Sequence, residues 1–164
     1  MINIRHTQSS DLANVMRIYE YARAQMKTNG NPNQWRDTYP PEALIIDDIK
    51  NKNSYVVEKD GVVICGVFAF IIGDDPTYQR IEGQWKNNAP YGAIHRVASS
   101  GIMRGVFPAC VKFCETKISN LRVDTHHDNK IMQHQIEKSG FEKCGIIYIE
   151  DGSPRIAYQK AIDL

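Results

Sequence analysis

The sequence has no long run of charge of one sign and no apolar segment long enough to cross a membrane. Its 164 residues include 20 Lys and Arg against 19 Asp and Glu, a formal net charge of +1. Proteins that bind the phosphates of nucleic acids usually show a basic face or arm. The longest apolar run, residues 61–72 (GVVICGVFAFII), is shorter than the roughly 20 residues of a transmembrane helix. We therefore expect neither nucleic acid nor a membrane as a partner.

Cysteine is scarce and forms no recognisable framework. The four cysteines are Cys65, Cys110, Cys114 and Cys144. Cys110 and Cys114 are one helical turn apart, which fits neither a zinc knuckle nor a redox Cys-x-x-Cys pair. The first residues, MINIRHTQSSDL, have neither the charged start nor the apolar centre of a signal peptide. These absences predict a reduced, cytoplasmic protein, and Cys110 and Cys114 are expected to pack in the core.

The composition is that of a single globular domain. Hydrophobic residues make up 42% and charged residues 24% of the chain, which is ordinary for soluble domains. A chain of this length buries about 68–70% of its unfolded surface. No internal repeat and no linker divides it, so one domain over residues 1–164 is expected.

The pattern of apolar residues predicts about seven strands and about four helices. In chain order these are one strand, two helices, three strands, a helix, a strand, a helix and two strands. Pro40 and Pro41 open the second helix, since proline suits a first helical turn. Asp128 or Asn129 caps the fourth helix, and Gly140 ends it. This order predicts a mixed α/β (α+β) domain.

Residues 97–107 (VASSGIMRGVF) lead from a strand through two glycines into a helix. The first turn of a helix has unpaired backbone N–H groups and a partial positive charge, which suit a pyrophosphate. Gly101 and Gly105 allow close approach and unusual backbone angles, and Arg104 can add a charge-assisted contact. The alternative interpretation is a plain strand-to-helix turn.

The order of elements and two segments resemble the GNAT superfamily of acyl-CoA-dependent N-acyltransferases over nearly the whole chain. In that superfamily a strand ending in Val leads through the pattern Arg/Gln-x-x-Gly-x-Gly/Ala into a helix, and Gly105 matches its first glycine. Residues 128–141 (DNKIMQHQIEKSGF) are similar to the pattern N-x-x-A-x-x-x-Y-x-x-x-G-F. Asn129, Gly140 and Phe141 match this pattern in identity and spacing.

Three departures from these patterns concern the predicted chemistry. Ile102 stands at the Arg/Gln position and Phe107 at the final Gly/Ala position. Ile136 stands where the superfamily often has a tyrosine that acts as a general acid. A phosphate loop binds through its backbone, so its side chains can change while the backbone path survives.

The resemblance implies a mixed sheet with splayed central parallel strands, and acetyl-CoA or CoA as the cofactor. It implies that the pyrophosphate faces the loop, that the pantetheine arm pairs with the preceding strand, and that Asn129 contacts this arm. The implied cofactor-binding residues are Val97, Ala98, Ile102, Met103, Arg104, Gly105, Val106, Phe107 and Asn129. Helix capping is the alternative role of Asn129.

Acetyl transfer to an amine needs a base for the amine proton and donors for the oxyanion. Alternation along the strand predicts one face made of Tyr91, Ala93, His95 and Val97. In several superfamily members the base lies on this face, a few residues before the Val. His95 is the first candidate because imidazole changes protonation near neutral pH. The alternative is a hydrogen-bonded histidine inside a half-buried strand.

Other groups complete the predicted chemistry. Glu82 is a second candidate base, and Tyr148 or a water is a candidate proton donor to the leaving thiolate. The backbone N–H of Val97 or Ala98 is the expected oxyanion donor. We predict direct attack in a ternary complex, without an acylated cysteine.

Aromatic residues precede or begin the central strand. The candidates for an acceptor pocket are Trp35, Tyr78, Trp85 and Tyr91. Ring faces together with carboxylates suit a cationic amine. Packing of a long connection is the alternative.

A metal site is not expected. His126 and His127 end a strand beside Asp128. Neighbouring residues of a strand point to opposite faces, which predicts that the two rings cannot share one ion.

We therefore predict an N-acetyltransferase that moves the acetyl group of acetyl-CoA to a primary amine of a small molecule, peptide or protein. A homodimer is possible, since two-fold pairs are the commonest oligomers. Two alternatives come from other classes. One is a catalytically silent CoA-binding domain, favoured by Ile136 and the altered loop. The other is an α/β domain that uses its aromatic residues to bind proteins.

Overall fold

An eight-stranded sheet forms the centre of the computed structural model, which describes residues 1–161. Its strands are β1 (Ile2–His6), β2 (Ser54–Lys59), β3 (Val63–Ile72), β4 (Glu82–Gly83), β5 (Gly92–Ser99), β6 (Leu121–Thr125), β7 (Glu142–Tyr148) and β8 (Pro154–Lys160). The helices are α1 (Leu12–Thr28), α2 (Glu42–Lys50), α3 (Val106–Glu115) and α4 (Lys130–Lys138). The mixed α/β architecture is confirmed. The additional strand, β4, has two residues, too few to show an alternating pattern.

The strand order is β1-β2-β3-β5-β6-β8-β7-β4. Strands β5 and β6 pair in parallel, and α3 supplies the crossover that a parallel pair needs. This pairing covers only residues 92–94 of β5 and 121–123 of β6. Both strands continue beyond it without pairing with each other, so the predicted splayed parallel strands are confirmed.

Helices cover both faces of the sheet. Helices α3 and α4 bury one face in a core that includes Phe68, Ile94, Phe107, Leu121 and Ile136. Helices α1 and α2 bury part of the other face through Val15, Tyr19, Ile45, Val56 and Val67. No helix within residues 1–161 is long and apolar enough to cross a membrane.

The two cysteines of α3 lie in the core. Cys110 and Cys114 are fully buried in the α3–α4 core, which confirms the predicted packing role. Burial raises the pKa of both thiols. Since the thiolate is the nucleophilic form of cysteine, neither residue is suited to carry an acyl group.

A β-bulge interrupts β5 just before the end of the strand. Arg96 and Val97 together lie opposite Phe68 of β3, and Arg96 has a positive φ of 53°. Two contacts hold this unfavourable conformation. The Arg96 guanidinium donates to both carboxylate oxygens of Asp48, at 2.9 and 2.8 Å. The Tyr19 hydroxyl donates to the Arg96 carbonyl at 2.8 Å.

The bulge reverses the side-chain alternation that the sequence predicts. Tyr91 and Ala93 pack with Tyr78, whose ring lies 5.7 Å from that of His95. Val97 instead packs against the α3–α4 core. The expectation that Val97 shares a face with His95 is therefore wrong, because the extra residue of the bulge shifts the period-two pattern.

Candidate active site

His95 and Asp124 lie where β5 and β6 separate. The last paired residues are Ile94 and Val123, so His95 and Asp124 are the first residues beyond the pairing. His95 Nδ1 is 4.0 Å from Asp124 Oδ2, and the two side chains are 18% and 14% exposed. We call the place where these two side chains face each other the apex.

Asp75 holds His95 from the other side of the ring. Its Oδ2 is 2.7 Å from His95 Nε2, and its Oδ1 accepts the backbone N–H and the hydroxyl of Thr77. Burial opposes ionisation of Asp75, but the hydrogen bonds from His95 and Thr77 outweigh it and lower its pKa to about 2. An ionised carboxylate only accepts hydrogen bonds, so Nε2 carries the proton. In the neutral ring the lone pair is then on Nδ1.

Tyr78 fixes the carboxylate of Asp124. The Tyr78 hydroxyl donates to Asp124 Oδ2 at 2.6 Å, and its side chain is almost fully buried. Burial, together with the charge of Asp124 and this hydrogen bond, raises the pKa of Tyr78 well above its ordinary value. Tyr78 therefore stays protonated and acts as a donor. Sequence reasoning found Tyr78 but missed Asp75 and Asp124.

Glu82 and Tyr148 bind each other instead of His95. The Tyr148 hydroxyl donates to Glu82 Oε2 at 2.8 Å, and both residues are exposed. With Thr77 they line an open groove of about 440 Å³. The hydrogen bond to Glu82 raises the pKa of Tyr148, which makes Tyr148 a poorer proton donor.

Three of the four predicted acceptor aromatics gather near the apex. The Tyr78 ring lies 5.2 Å from Trp85 and 6.1 Å from Tyr91. The Arg122 guanidinium stacks on the rings of Trp85 and Tyr91, at 4.0 and 3.9 Å from their centroids. One ring face of each is therefore occupied by the protein's own cation.

The fourth aromatic residue, Trp35, packs elsewhere. Its ring is 5.8 Å from Tyr19 and 6.0 Å from Tyr39. It belongs to the core between the sheet and helices α1 and α2, and it is 7% exposed. The structure therefore does not bring Trp35 together with the aromatic residues around His95.

A cleft of about 290 Å³ lies between α1, the end of β5 and the start of α4. Val97, Ala98 and Ser99 line it from β5. Ala98 pairs with Val67, and the N–H of Ser100 donates to β3, so the backbone of Ala98 also faces β3. Alternation directs the Val97 carbonyl and the Ser99 N–H to the cleft. This direction favours the backbone groups of Val97 and Ser99 as ligand contacts, while the role of Ala98, which also lines the cleft, stays a prediction. Ser99 is a residue that sequence reasoning missed.

The loop between β5 and α3 presents a row of backbone N–H groups. The N–H groups of Gly101 and Ile102 donate to the Ser99 and Ser100 hydroxyls. Within residues 1–161, no hydrogen-bond acceptor is found for the backbone N–H groups of Met103, Arg104, Gly105, Val106 and Phe107. The Val106 and Phe107 side chains are buried in the α3–α4 core, so only their backbone is available to a ligand.

Three side-chain amides connect the loop after α1 to the start of α4. Asn129 Oδ1 accepts the N–H of Met132 at 3.0 Å and so caps α4. Asn129 Nδ2 and Asn31 Nδ2 both donate to Gln34 Oε1, at 2.9 and 2.7 Å. Asn31 lines the cleft, is 2% exposed, and has no partner for Oδ1 within residues 1–161. Asn31 is a candidate ligand-binding residue because it is buried with an oxygen that has no partner among the described residues. No sequence motif marks it as one.

His126 and His127 follow the end of β6, and their rings stack with centroids 4.3 Å apart. With Asp128 they place ligand atoms within 4.8 Å of one another. The expectation that the rings point to opposite faces is therefore wrong, because the strand has already ended. His126 Nδ1 accepts the N–H of Asp128, which occupies one lone pair. The expectation of no metal stays a prediction.

A parallel pair of strands that separates after three paired residues, with the N-terminus of α3 following the end of β5, fits the fold that the sequence resemblance predicts. A crystal structure of a GNAT-family acetyltransferase from Streptococcus agalactiae 2603 is similar to this chain, with 32% identity and a TM-score of 0.88. The alignment covers 99% of this chain and 96% of that one. The chain belongs to the GNAT family of acetyltransferases.

Two more distant structures share the fold. An acetyltransferase from Listeria monocytogenes 4b F2365 has 17% identity and a TM-score of 0.72, over 98% of this chain and 95% of that one. A putative acetyltransferase from Salmonella typhimurium, solved with its cofactor acetyl-CoA, has 13% identity and a TM-score of 0.64. That alignment covers 99% of this chain and 94% of the Salmonella chain. No family model and no curated protein matches the sequence.

Proposed function

We propose that this protein transfers the acetyl group of acetyl-CoA to a primary amine by direct attack in a ternary complex. The observation that carries the proposal is the His95–Asp75 pair, whose histidine lies on β5 two residues before Val97, a residue that lines the cleft. A base must lie within hydrogen-bond reach of the amine that attacks the thioester. The apex is where an amine would meet an acyl group held between β5 and β6.

The cleft and its loop fit acetyl-CoA. The unpaired N–H groups of residues 103–107, at the N-terminus of α3, suit the pyrophosphate. The Val97 carbonyl and the Ser99 N–H suit the pantetheine amides, as in an added strand. Asn31 Oδ1 offers a further buried acceptor. The Salmonella protein with this fold holds acetyl-CoA, which supports the same ligand here.

Residues of this chain supply the base but need supply no strong acid. His95 Nδ1 takes the amine proton, and Asp75 holds the ring through Nε2. The bound thioester supplies the acyl group and a thiol leaving group with a pKa of about 8.5, which departs readily as a thiolate. Ile136 is fully buried in the α3–α4 core. Its lack of a hydroxyl therefore does not argue against turnover.

Glu82 and Tyr148 remain secondary proposals as base and acid. The two side chains are hydrogen-bonded to each other, and both line the groove that also includes Thr77. Small-molecule and peptide amines are both proposed as acceptors. A Brucella melitensis protein with 17% identity and the same fold is named a ribosomal-protein-alanine N-acetyltransferase. The homodimer and the cytoplasmic location stay predictions, and light scattering tests the first.

Two measurements test the proposal in sequence. Thermal unfolding with CoA and with acetyl-CoA is measured first, because a ligand that binds the native state raises the midpoint. Thiol release is then measured with a panel of primary amines. Stabilisation by CoA without thiol release would indicate a silent CoA-binding domain. Neither stabilisation nor thiol release at millimolar ligand would contradict both CoA-dependent functions and favour a protein-interaction domain.

A further inference from the structure

Two hydrogen-bond acceptors face each other at the apex. The Nε2–H group of His95 donates a hydrogen bond to Asp75 Oδ2, which leaves the lone pair of the neutral ring on Nδ1. Asp124 is a carboxylate and has accepting lone pairs beyond the one used by Tyr78. Their 4.0 Å separation is too long for a direct hydrogen bond. The arrangement calls for a donor with two N–H groups between the two atoms.

We infer that the acceptor substrate binds at the apex as a primary ammonium group, and that Asp124 is the residue that selects it. The inference rests on the proposed acetyltransferase function. A nitrogen about 2.8 Å from both Nδ1 and Oδ2 subtends roughly 90° across that gap, near the angle between two N–H bonds. The two remaining positions on the ammonium nitrogen point away from these atoms and carry the substrate's carbon chain and the third N–H.

The charges around the apex favour a cation. Asp75 and Asp124 both lie beside His95. Within residues 1–161, neither Lys nor Arg forms an ion pair with Asp124. Arg155 interacts with Asp124 electrostatically, but its guanidinium donates to the carbonyls of Pro154 and Gln34, at 2.8 and 3.3 Å. A partly buried carboxylate without a direct cationic partner gains most from a ligand that brings its own charge.

The reaction balances with the residues present. The ammonium gives one proton to His95 Nδ1, forming an imidazolium between two carboxylates. The neutral amine then attacks the thioester carbonyl, so that a C–N bond forms and the C–S bond breaks. The second amine proton reaches the thiolate through water, and His95 returns its proton to solvent. The products are an N-acetyl amide, CoA thiol and one proton.

The test compares Asp124→Asn with Asp47→Asn. Asparagine keeps the shape of Asp124 and still accepts the Tyr78 hydroxyl, but it lacks the charge. Asp47 is an exposed aspartate of α2, so its substitution controls for net charge. Binding of n-butylamine and of butyltrimethylammonium is measured by calorimetry with CoA present, and KM for n-butylamine is measured by thiol release. Circular dichroism verifies that each variant folds.

We expect Asp124→Asn to raise KM and the dissociation constant for n-butylamine at least about tenfold, while Asp47→Asn resembles the wild type. The acetyl-CoA dissociation constant should stay unchanged in both variants. The trimethylated cation, which has no N–H to donate, should bind at least about tenfold more weakly than n-butylamine to wild type.

Two outcomes would overturn the assignment of Asp124. One is equal binding of the two cations by the wild-type protein, which requires no variant. The other is unchanged n-butylamine affinity in Asp124→Asn. A wild-type protein that binds neither CoA nor acetyl-CoA contradicts the proposed function instead. Calorimetry with n-butylamine alone still tests the ammonium site in that case.

Discussion

The two ends of the split between β5 and β6 are built from different kinds of groups. The loop at residues 103–107 offers backbone N–H groups, and its Val106 and Phe107 side chains are turned into the core. At the apex, the side chain of His95 lies within hydrogen-bond or ion-pair range of Asp75 on one side and of Asp124 on the other. A loop that acts through its backbone tolerates changes of residue type, whereas the apex depends on its side-chain chemistry.

This difference explains how the family departures at Ile102 and Phe107 can coexist with a loop that still fits a phosphate. Ile102 is exposed and Phe107 fills the core, so neither side chain alters the direction of the N–H groups. A comparable change at His95 would remove the proposed base. The following predictions test this contrast, beginning with the largest expected effect.

Replacing His95 tests the apex most directly. We expect His95→Gln to lower kcat about 10²–10³-fold, because the attacking amine loses its base. The acetyl-CoA dissociation constant should change little, since the proposed cofactor contacts at Val97, Ser99 and residues 103–107 do not include the His95 side chain. Steady-state kinetics and calorimetry measure the two quantities separately. A His95→Gln enzyme with wild-type kcat would remove His95 from the mechanism.

Replacing Asp75 tests the electrostatic support of His95. The pKa of Asp75 falls from 3.8 to about 2 in the folded protein. Ionised Asp75 therefore stabilises the folded protein at any pH above 3.8, the ordinary pKa of the group. Asp75→Asn should lower the free energy of unfolding by about 2 kcal/mol at neutral pH. The difference from wild type should shrink as pH falls from about 4 towards 2. Urea unfolding across this pH range measures it.

Asp47→Asn, on the exposed face of α2, is the control for this experiment. This substitution also removes one aspartate carboxylate, but among residues 1–161 Asp47 has no histidine partner such as His95. If Asp75→Asn and Asp47→Asn had the same pH-dependent stability, the His95–Asp75 hydrogen bond would contribute nothing measurable.

Replacing Gly101 tests the backbone region. Its φ is 81°, and a Cβ there would lie 2.6 Å from the Tyr21 hydroxyl. Gly101→Val should therefore strain the loop backbone and displace the Tyr21 side chain, which lines the cleft, and so raise the acetyl-CoA dissociation constant about tenfold. The kcat at saturating acetyl-CoA should change much less. Gly61→Val, in the β2–β3 turn, has a similar φ of 69° but open space around it, and it should leave acetyl-CoA binding unaltered.

Replacing Arg104 should have the smallest effect. Its side chain is exposed and makes no hydrogen bond or ion pair within the described part of the chain. Arg104→Ala keeps the backbone N–H groups, so we expect at most about a threefold weaker binding of acetyl-CoA. Calorimetry at two salt concentrations measures this loss. A loss larger than that of Gly101→Val would show that the loop acts through its side chains, contrary to our comparison.

Local patterns predicted much of what surrounds the site. The helical spacing of α1, the cap at Asn129 and the glycine at position 140 are short-range signals, and each appears where expected. The Val97 side chain was placed on the wrong face because a bulge adds a residue that periodicity does not reveal. That bulge depends on Asp48 and Tyr19, which come from α2 and α1.

By itself, the sequence determined the order of strands and helices, the glycine loop before α3 and the presence of a histidine in the central strand. These features follow from hydrogen-bonding and burial preferences that act over a few residues. Only the tertiary structure decided that Asp75 meets one nitrogen of His95 and that Asp124 faces the other. Asp75 lies 20 residues from His95, and Tyr78 lies 46 residues from Asp124. Their meeting depends on strand register and loop path, which no local pattern encodes.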